Sequence, residues 1–234
     1  MIVRALRSRL HGHPEDREAG VALVELIVAM FVTLIMLTLI ARLFAQVMNA
    51  STDNQSTREG IGVAGTVMDE MTRVIRQGAR VSTSQTTSEG AVLAGSTATS
   101  LTIDSFVDAA VAPSQAAISP TRVVFSVDSR GNLLEQRYAG TVAGGYVSFS
   151  STATTRTVNG PLTTDPSNPM FAYADGTGTA VLPGAGGLTA MQANSVASVT
   201  VTVTVANTLS TGDDPVQLTN EVTMPNIAIL NGGF

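Results

Sequence analysis

The sequence predicts an α+β fold in which a long N-terminal helix packs on an antiparallel β-sheet. Bulky apolar residues concentrate between residues 21 and 48, whereas the remainder is rich in Thr, Ser, Ala, Gly and Val. Many β-branched residues and few aromatics favour a sheet with a modest core. We therefore divide the 234 residues into a leader (1–20), a membrane helix (21–48), an amphipathic helix (49–81) and an exported β-rich domain (82–234).

The leader is polar and basic. A proline and a glycine in it are expected to break any long helix. Four arginines precede the apolar segment, and Arg42 alone follows it closely. The four are Arg4, Arg7, Arg9 and Arg17. Because basic residues stay on the cytoplasmic side, we predict a cytoplasmic N-terminus and an exported C-terminal domain.

The apolar segment is long enough to cross a membrane. Residues 21–41 are apolar except for Glu25, Thr33 and Thr38, and about 20 apolar residues in a helix span the hydrocarbon core. Arg42 then marks the far membrane edge, where a long cation reaches the interface. An ordinary secretory signal is shorter and has its small residue after the apolar run. Here the small residue, Gly20, comes before the run.

The junction at residues 20–25, GVALVE, followed by this helix resembles the type IV pilin and pseudopilin superfamily. The resemblance implies that a prepilin peptidase cuts between Gly20 and Val21 and N-methylates Val21, although phenylalanine is the more usual first residue. It also implies that Glu25 is the carboxylate used in subunit assembly. The implied partners are other pilin or pseudopilin subunits, an inner-membrane assembly platform and the lipid bilayer, with the chain held in the cytoplasmic membrane before assembly.

The chemistry of Glu25 indicates a role for the junction at residues 20–25. A carboxylate that enters hydrocarbon costs roughly 3 kcal/mol, so it needs a partner or a hydrated position. Cleavage would create a free amine at Val21, and a neighbouring subunit's amine against Glu25 would neutralise both charges. The alternative is that Glu25 lies close enough to the interface to stay hydrated and has no pairing role.

Residues 61–79 carry apolar side chains every three or four positions, which predicts an amphipathic helix. These residues are Ile61, Ala64, Val67, Met68, Met71, Val74, Ile75 and Ala79. The glycines within residues 60–65 weaken the helix, so we predict that it bends or melts there when subunits pack.

The other side of this helix carries charges. Its arginines are Arg73, Arg76 and Arg80, and two acids precede them by about one turn. Asp69 and Glu70 are at contact spacing from Arg73. We interpret this side as a solvated, self-paired face rather than as a docking or DNA-binding stripe.

Beyond residue 81, short β-type runs alternate with turn residues. Residues 82–90 read as a linker and residues 157–187 as a long irregular loop. The predicted strands cover residues 101–106, 122–127, 133–138, 146–150, 199–205 and 216–224. Residues 128–132 form a predicted hairpin turn. The strict Val/Thr alternation at 199–205 indicates a half-buried antiparallel strand, with 216–224 as its partner. The run at 121–138 and the closing strand pair resemble PilW-type minor pilins and J-type minor pseudopilins.

The composition argues against most enzyme classes. After Gly20 the chain has no His, Cys or Lys, which excludes Ser-His and Cys-His nucleophiles, Schiff-base chemistry and thiolate or imidazole zinc sites. Paired carboxylates stay open, but no constellation stands out. We expect no cofactor, and no direct nucleic-acid binding because the exported part is mildly acidic.

Metal binding is a secondary consideration. Calcium prefers loop oxygens, and the candidate ligands are Asp165, Asp175, Asp213 and Asp214. Solvated turn carboxylates are the better interpretation of these four. In the leader, His11 and His13 read as linker rather than as a metal site.

Two classes of function therefore stay open. One is a minor pilin or pseudopilin that is incorporated into, or initiates, a type IV pilus-like filament. The other is a single-pass membrane-anchored domain that binds a ligand or partner and never polymerises.

Overall fold

A computed structural model describes residues 15–84, 88–107, 119–206 and 215–228, with side chains from Leu23 onward except that of Ser88. The chain forms two compact units, Met1–Thr52 and Asp53–Phe234. The first unit is described from residue 15 and is helical throughout. The second unit carries the rest of the same helix, two short helices and eleven strands among the described residues.

Helix α1 extends over Glu15–Arg76, 62 residues. It therefore begins inside the leader, and the prediction that a proline and a glycine of the leader break any long helix is wrong for residues 15–20. Pro14 comes directly before Glu15 in the sequence, and a proline at the start of a helix does not interrupt it. Gly20 is a single glycine, which costs a helix only about 1 kcal/mol. The helical turns on either side of Gly20 stabilise the helix by more than that cost.

The helix ends five residues earlier than predicted. Gly78 makes a β-bridge to Ser105, and the amide of Ala79 donates to the carbonyl of Asp104 at 2.9 Å. A side chain on Gly78 would lie 2.9 Å from the carbonyl oxygen of Ile75. The apolar periodicity continues past Arg76, but tertiary pairing with the sheet takes over the backbone there.

The first sheet has five strands in the order β3-β4-β5-β6, with β7 also paired to β5. The strands are β3 (Leu101–Ser105), β4 (Thr121–Val127), β5 (Leu133–Ala143), β6 (Tyr146–Phe149) and β7 (Thr154–Asn159). All their pairings are antiparallel. The predicted turn between β4 and β5 is confirmed, because the amide of Asp128 donates to the carbonyl of Asn132 at 3.0 Å.

The second sheet has the order β11-β10-β8-β9 and is also antiparallel. Its strands are β8 (Phe171–Asp175), β9 (Ala180–Val181), β10 (Val196–Val205) and β11 (Val216–Thr223). The predicted pairing of the last two strands is confirmed over eight residue pairs. The four valines at 199–205 are buried, and Thr202 is buried as well.

Two segments without a predicted strand contain strands. The segment at 82–90, predicted as a linker, holds parts of a small hairpin of β1 (Val81–Ser82) and β2 (Ser88–Glu89). The predicted loop at 157–187 holds the end of β7 and all of β8 and β9. Strand β8 is short, but Phe171 and Tyr173 are buried against the core, and this long-range burial is invisible to a local pattern. Helices α2 (Ala190–Ser195) and α3 (Pro225–Ala228) were also unpredicted.

The C-terminal part of α1 packs on the sheets through most of its predicted face. Val67, Met71, Val74 and Ile75 are fully buried in one core with valines of β10 and residues of the first sheet. Ile61 is an exception: it is 51% exposed, so the buried face at that level passes through Gly60 instead. A side chain on Gly60 would approach Val216 to 3.1 Å. The helix is unbroken through residues 60–65, and the bend predicted for an assembled filament stays a prediction.

This packing predicts unequal effects of truncating two apolar residues of α1. Met71→Ala should lower the free energy of unfolding of the domain by about 3 kcal/mol, because it opens a cavity in the core. Ile61→Ala should change it by no more than about 0.5 kcal/mol. The chain has no tryptophan, and its three tyrosines all follow residue 52. Tyrosine fluorescence during urea titration of the full chain in detergent therefore reports on this domain. Equal losses would contradict the packing.

Candidate functional site

The helical surface between Leu23 and Met48 is apolar on every side. Its large apolar side chains are exposed by 44% at Ile27 to 66% at Phe44, and no other part of the described chain covers them. This is the one described helix long and apolar enough to cross a membrane. A helix that is apolar all round needs an apolar environment, which lipid or other apolar helices supply.

Residues 23–41 contain three polar side chains, and two of them make hydrogen bonds within the helix. The hydroxyl of Thr33 donates to the carbonyl of Ala29, and that of Thr38 to the carbonyl of Leu34, each at 2.7 Å. Such bonds let a hydroxyl sit in hydrocarbon at low cost. Glu25 has no hydrogen bond or ion pair within the described residues. It is therefore the group in this segment that requires an outside partner or water.

The other predicted site residues lie on the same element. Gly20 and Val21 are the sixth and seventh residues of α1. Val21 and Glu25 are four positions apart, so the two positions share one face of the helix. Arg42 is exposed on α1, and apolar side chains continue beyond it at Leu43, Phe44, Val47 and Met48. The peptide bond after Gly20 thus lies within a helix rather than at its beginning.

The charged side of α1 does more than pair with itself. Glu70 accepts from Arg73 at 2.6 Å, as the spacing predicted, but the same oxygen also contacts Arg156 at 2.7 Å and Arg137 at 3.0 Å. Arg137 lies on β5 and Arg156 on β7. The interpretation of a solvated, self-paired face is therefore wrong for Glu70, which ties the helix to the first sheet. No pattern in the sequence pointed to this, because the partners are more than 60 positions apart.

A second carboxylate completes this network. Glu135 on β5 has a fully buried side chain and binds both Arg137 and Arg156, the latter through its Nε at 2.6 Å. Three guanidinium groups thus share two carboxylates. Burial raises the pKa of Glu70, but hydrogen bonds and positive charge from Arg73 and Arg156 outweigh burial and leave that pKa below its usual value. Glu70 consequently stays ionised and keeps the network intact near neutral pH.

Two of the four aspartates considered for calcium, Asp165 and Asp175, accept hydrogen bonds from amides of their own turns. Oδ1 of Asp175 accepts from the amides of Thr177 and Thr179, each at 2.9 Å, and Oδ1 of Asp165 accepts from the amide of Ser167 at 2.8 Å. These contacts are typical of Asx turns. No group of three metal-binding side chains occurs within the described ranges. Asp213, Asp214, His11 and His13 lie outside those ranges.

Comparison of the chain with protein-family models, with curated proteins and with solved structures gives no match. The remaining basis for a comparison is the architecture of the chain. A long apolar N-terminal helix, whose C-terminal part packs on antiparallel sheets, is compatible with the pilin-like arrangement.

The network predicts a large cost for removing its buried carboxylate. Glu135→Ala should lower the free energy of unfolding by about 2 kcal/mol, since it removes the charged hydrogen bonds of a fully buried carboxylate to Arg137 and Arg156. Asp69→Ala removes an exposed carboxylate from α1 and should change it by no more than about 0.5 kcal/mol. Tyrosine fluorescence in urea measures both. A Glu135→Ala variant as stable as the natural chain would show that the network is not formed.

Proposed function

We propose that this chain is a minor pilin or pseudopilin subunit. A prepilin peptidase processes it, and it then enters or initiates a type IV pilus-like filament. The observation that carries the proposal is the junction at residues 20–25. There a small residue, four further positions and a carboxylate stand where the apolar stretch of the helix begins. The same helix ends in a domain of antiparallel sheets.

Before assembly, the helix holds the subunit in the cytoplasmic membrane. The arginine-rich leader stays in the cytoplasm and the domain is exported, following the excess of basic residues before the span. A charged leader opposes withdrawal of the helix from the bilayer, because its arginines would have to cross hydrocarbon. Cleavage after Gly20 removes that barrier and leaves an amine at Val21, which the peptidase methylates.

Glu25 then directs the assembly step. In the monomer it has no partner within the described residues, whereas Thr33 and Thr38 are satisfied within the helix. A neighbour's amine placed against Glu25 removes two unpaired charges from an apolar environment at once. The pairing sets the axial offset between adjacent subunits. An ATP-driven platform in the inner membrane lifts each subunit into a bundle of such helices, whose mutual contacts replace lipid.

The alternative is a single-pass anchored domain that binds a partner and never polymerises. It uses the same apolar helix but gives Glu25 no task beyond lying near hydrated headgroups. The two proposals differ in whether residues 1–20 are removed and whether Glu25 matters after insertion.

The role of Glu25 is tested by Glu25→Ala, with Thr33→Ala as the matched control in the same helix. Both variants should insert into the membrane, because each removes polarity. Glu25→Ala should enter sheared filaments about tenfold less than the natural chain, a loss equivalent to roughly 1.4 kcal/mol. Thr33→Ala should enter at the natural level. Immunoblots of membrane and filament fractions give both quantities, and normal incorporation of Glu25→Ala would refute the proposed role.

A further inference from the structure

The peptide bond after Gly20 lies within a helix. Helix α1 begins at Glu15, includes Gly20 and Val21, and continues unbroken to Arg76. In an α-helix the carbonyl of each residue accepts a hydrogen bond from the amide four positions later. The carbonyl of Gly20 is therefore bonded to the amide of Val24, so the group that any hydrolysis of this bond must attack is already engaged.

Hydrolysis of this bond requires access to the backbone. A water molecule adds to the carbonyl carbon of Gly20, the bond to the nitrogen of Val21 breaks, and a carboxylate and an amine are formed. Peptidases act on backbone that has opened locally, and their rate follows the population of the open form when opening is fast. The stability of the helix around Gly20 is therefore expected to enter directly into the rate of cleavage.

The helix can open from one side of this bond more readily than from the other. On the N-terminal side only residues 15–20 precede the bond, and the first four amides of a helix have no partner within it. On the C-terminal side the exposed apolar surface begins at Leu23, and backbone that opens in hydrocarbon loses its hydrogen bonds without replacement. Opening is therefore expected to begin at Glu15 and to proceed toward the bond.

Gly20 lowers the cost of this opening. A glycine favours a helix about fivefold less than an alanine does, which corresponds to about 1 kcal/mol. It is the one glycine between Glu15 and Glu59, so the weakest helix-forming residue of this long stretch stands directly before the bond. The position of Gly20 thus favours local unwinding at this bond over unwinding elsewhere in the stretch.

We propose that the first two turns of α1 control removal of the leader. Residues 15–21 stay helical and protect the bond until the peptidase binds them in an unwound form, and Gly20 is the positioning residue that sets where the helix unwinds. This inference rests on the proposed processing by a prepilin peptidase and adds a condition to it. While the helix is intact the leader stays attached, so the subunit stays in the bilayer and no amine forms at Val21.

Two substitutions of Glu18 test the role of helix stability. Glu18→Ala and Glu18→Gly remove the same carboxylate, leave Gly20 and Val21 unchanged, and differ from each other by one methyl group and by their preference for a helix. Purified prepilin peptidase should cut Glu18→Gly with a kcat/KM about fivefold higher than that for Glu18→Ala, because its open form is more populated. Mass spectrometry of the full chain in detergent micelles follows the loss of residues 1–20.

A second measurement reports the opening without any peptidase. Amide hydrogen exchange of Val21 and Ala22, measured by NMR on the same chains, should be about fivefold faster in Glu18→Gly than in Glu18→Ala. Thr33→Ala and Thr33→Gly form the matched control pair, since they differ in the same way at a position well beyond the bond. The two Thr33 variants should be equal in cleavage and in exchange at Val21 and Ala22.

The outcomes separate this inference from the proposed function. If the two Glu18 variants differ in exchange but are cut at equal rates, the peptidase acts independently of opening, and the inference alone is overturned. Equal exchange in the two Glu18 variants would overturn it as well, because residues 15–21 would then not open as a helix. If the peptidase leaves the natural chain and all variants uncut, the proposed function fails and this inference fails with it.

Discussion

The helical surface from Leu23 to Met48 imposes the main constraint on this protein, because it is apolar on every side and uncovered within the described chain. Exposing apolar surface to water costs about 25 cal/mol per Å². Water is therefore not a stable environment for this surface. Two environments satisfy the constraint, a bilayer or a bundle of similar helices. The proposed function uses both in succession. Glu25 then becomes informative, because within residues 23–41 it is the polar side chain that makes no hydrogen bond in the described helix, unlike Thr33 and Thr38.

Within the second unit, apolar contacts and ion pairs hold the same helix on the sheets. Buried residues such as Met71 and Ile75 supply the apolar contact, and Glu70 shares its oxygen with arginines of β5 and β7. Arg137 and Arg156 each contact both Glu70 and Glu135. The shared ion pairs therefore fix the position of the helix on the sheet more than they add net stability. The proposed withdrawal of the helix from a bilayer would require such a connection, since the force must reach the domain without unfolding it.

The sequence was sufficient for features with a local signature. The apolar run, the Val/Thr alternation of β10 and the turn at residues 128–132 each follow from spacing or turn chemistry. Features that depend on contacts between residues far apart in the sequence could not be predicted from it. Strand β8 depends on burial of Phe171, Ile61 faces outward because Gly60 allows close approach to β11, and Glu70 meets partners on two distant strands. The start of α1 was missed because Pro14 and Gly20 were taken as interruptions, although one precedes the helix and the other is tolerated inside it.

The mature N-terminus tests the central proposal most directly. Mass spectrometry of the intact protein, purified from membranes of cells with and without prepilin peptidase, measures it without any substitution. The account predicts a chain that begins at Val21 when the peptidase is present and at Met1 when it is absent. Retention of residues 1–20 in both strains would contradict the account and favour the anchored, non-polymerising domain.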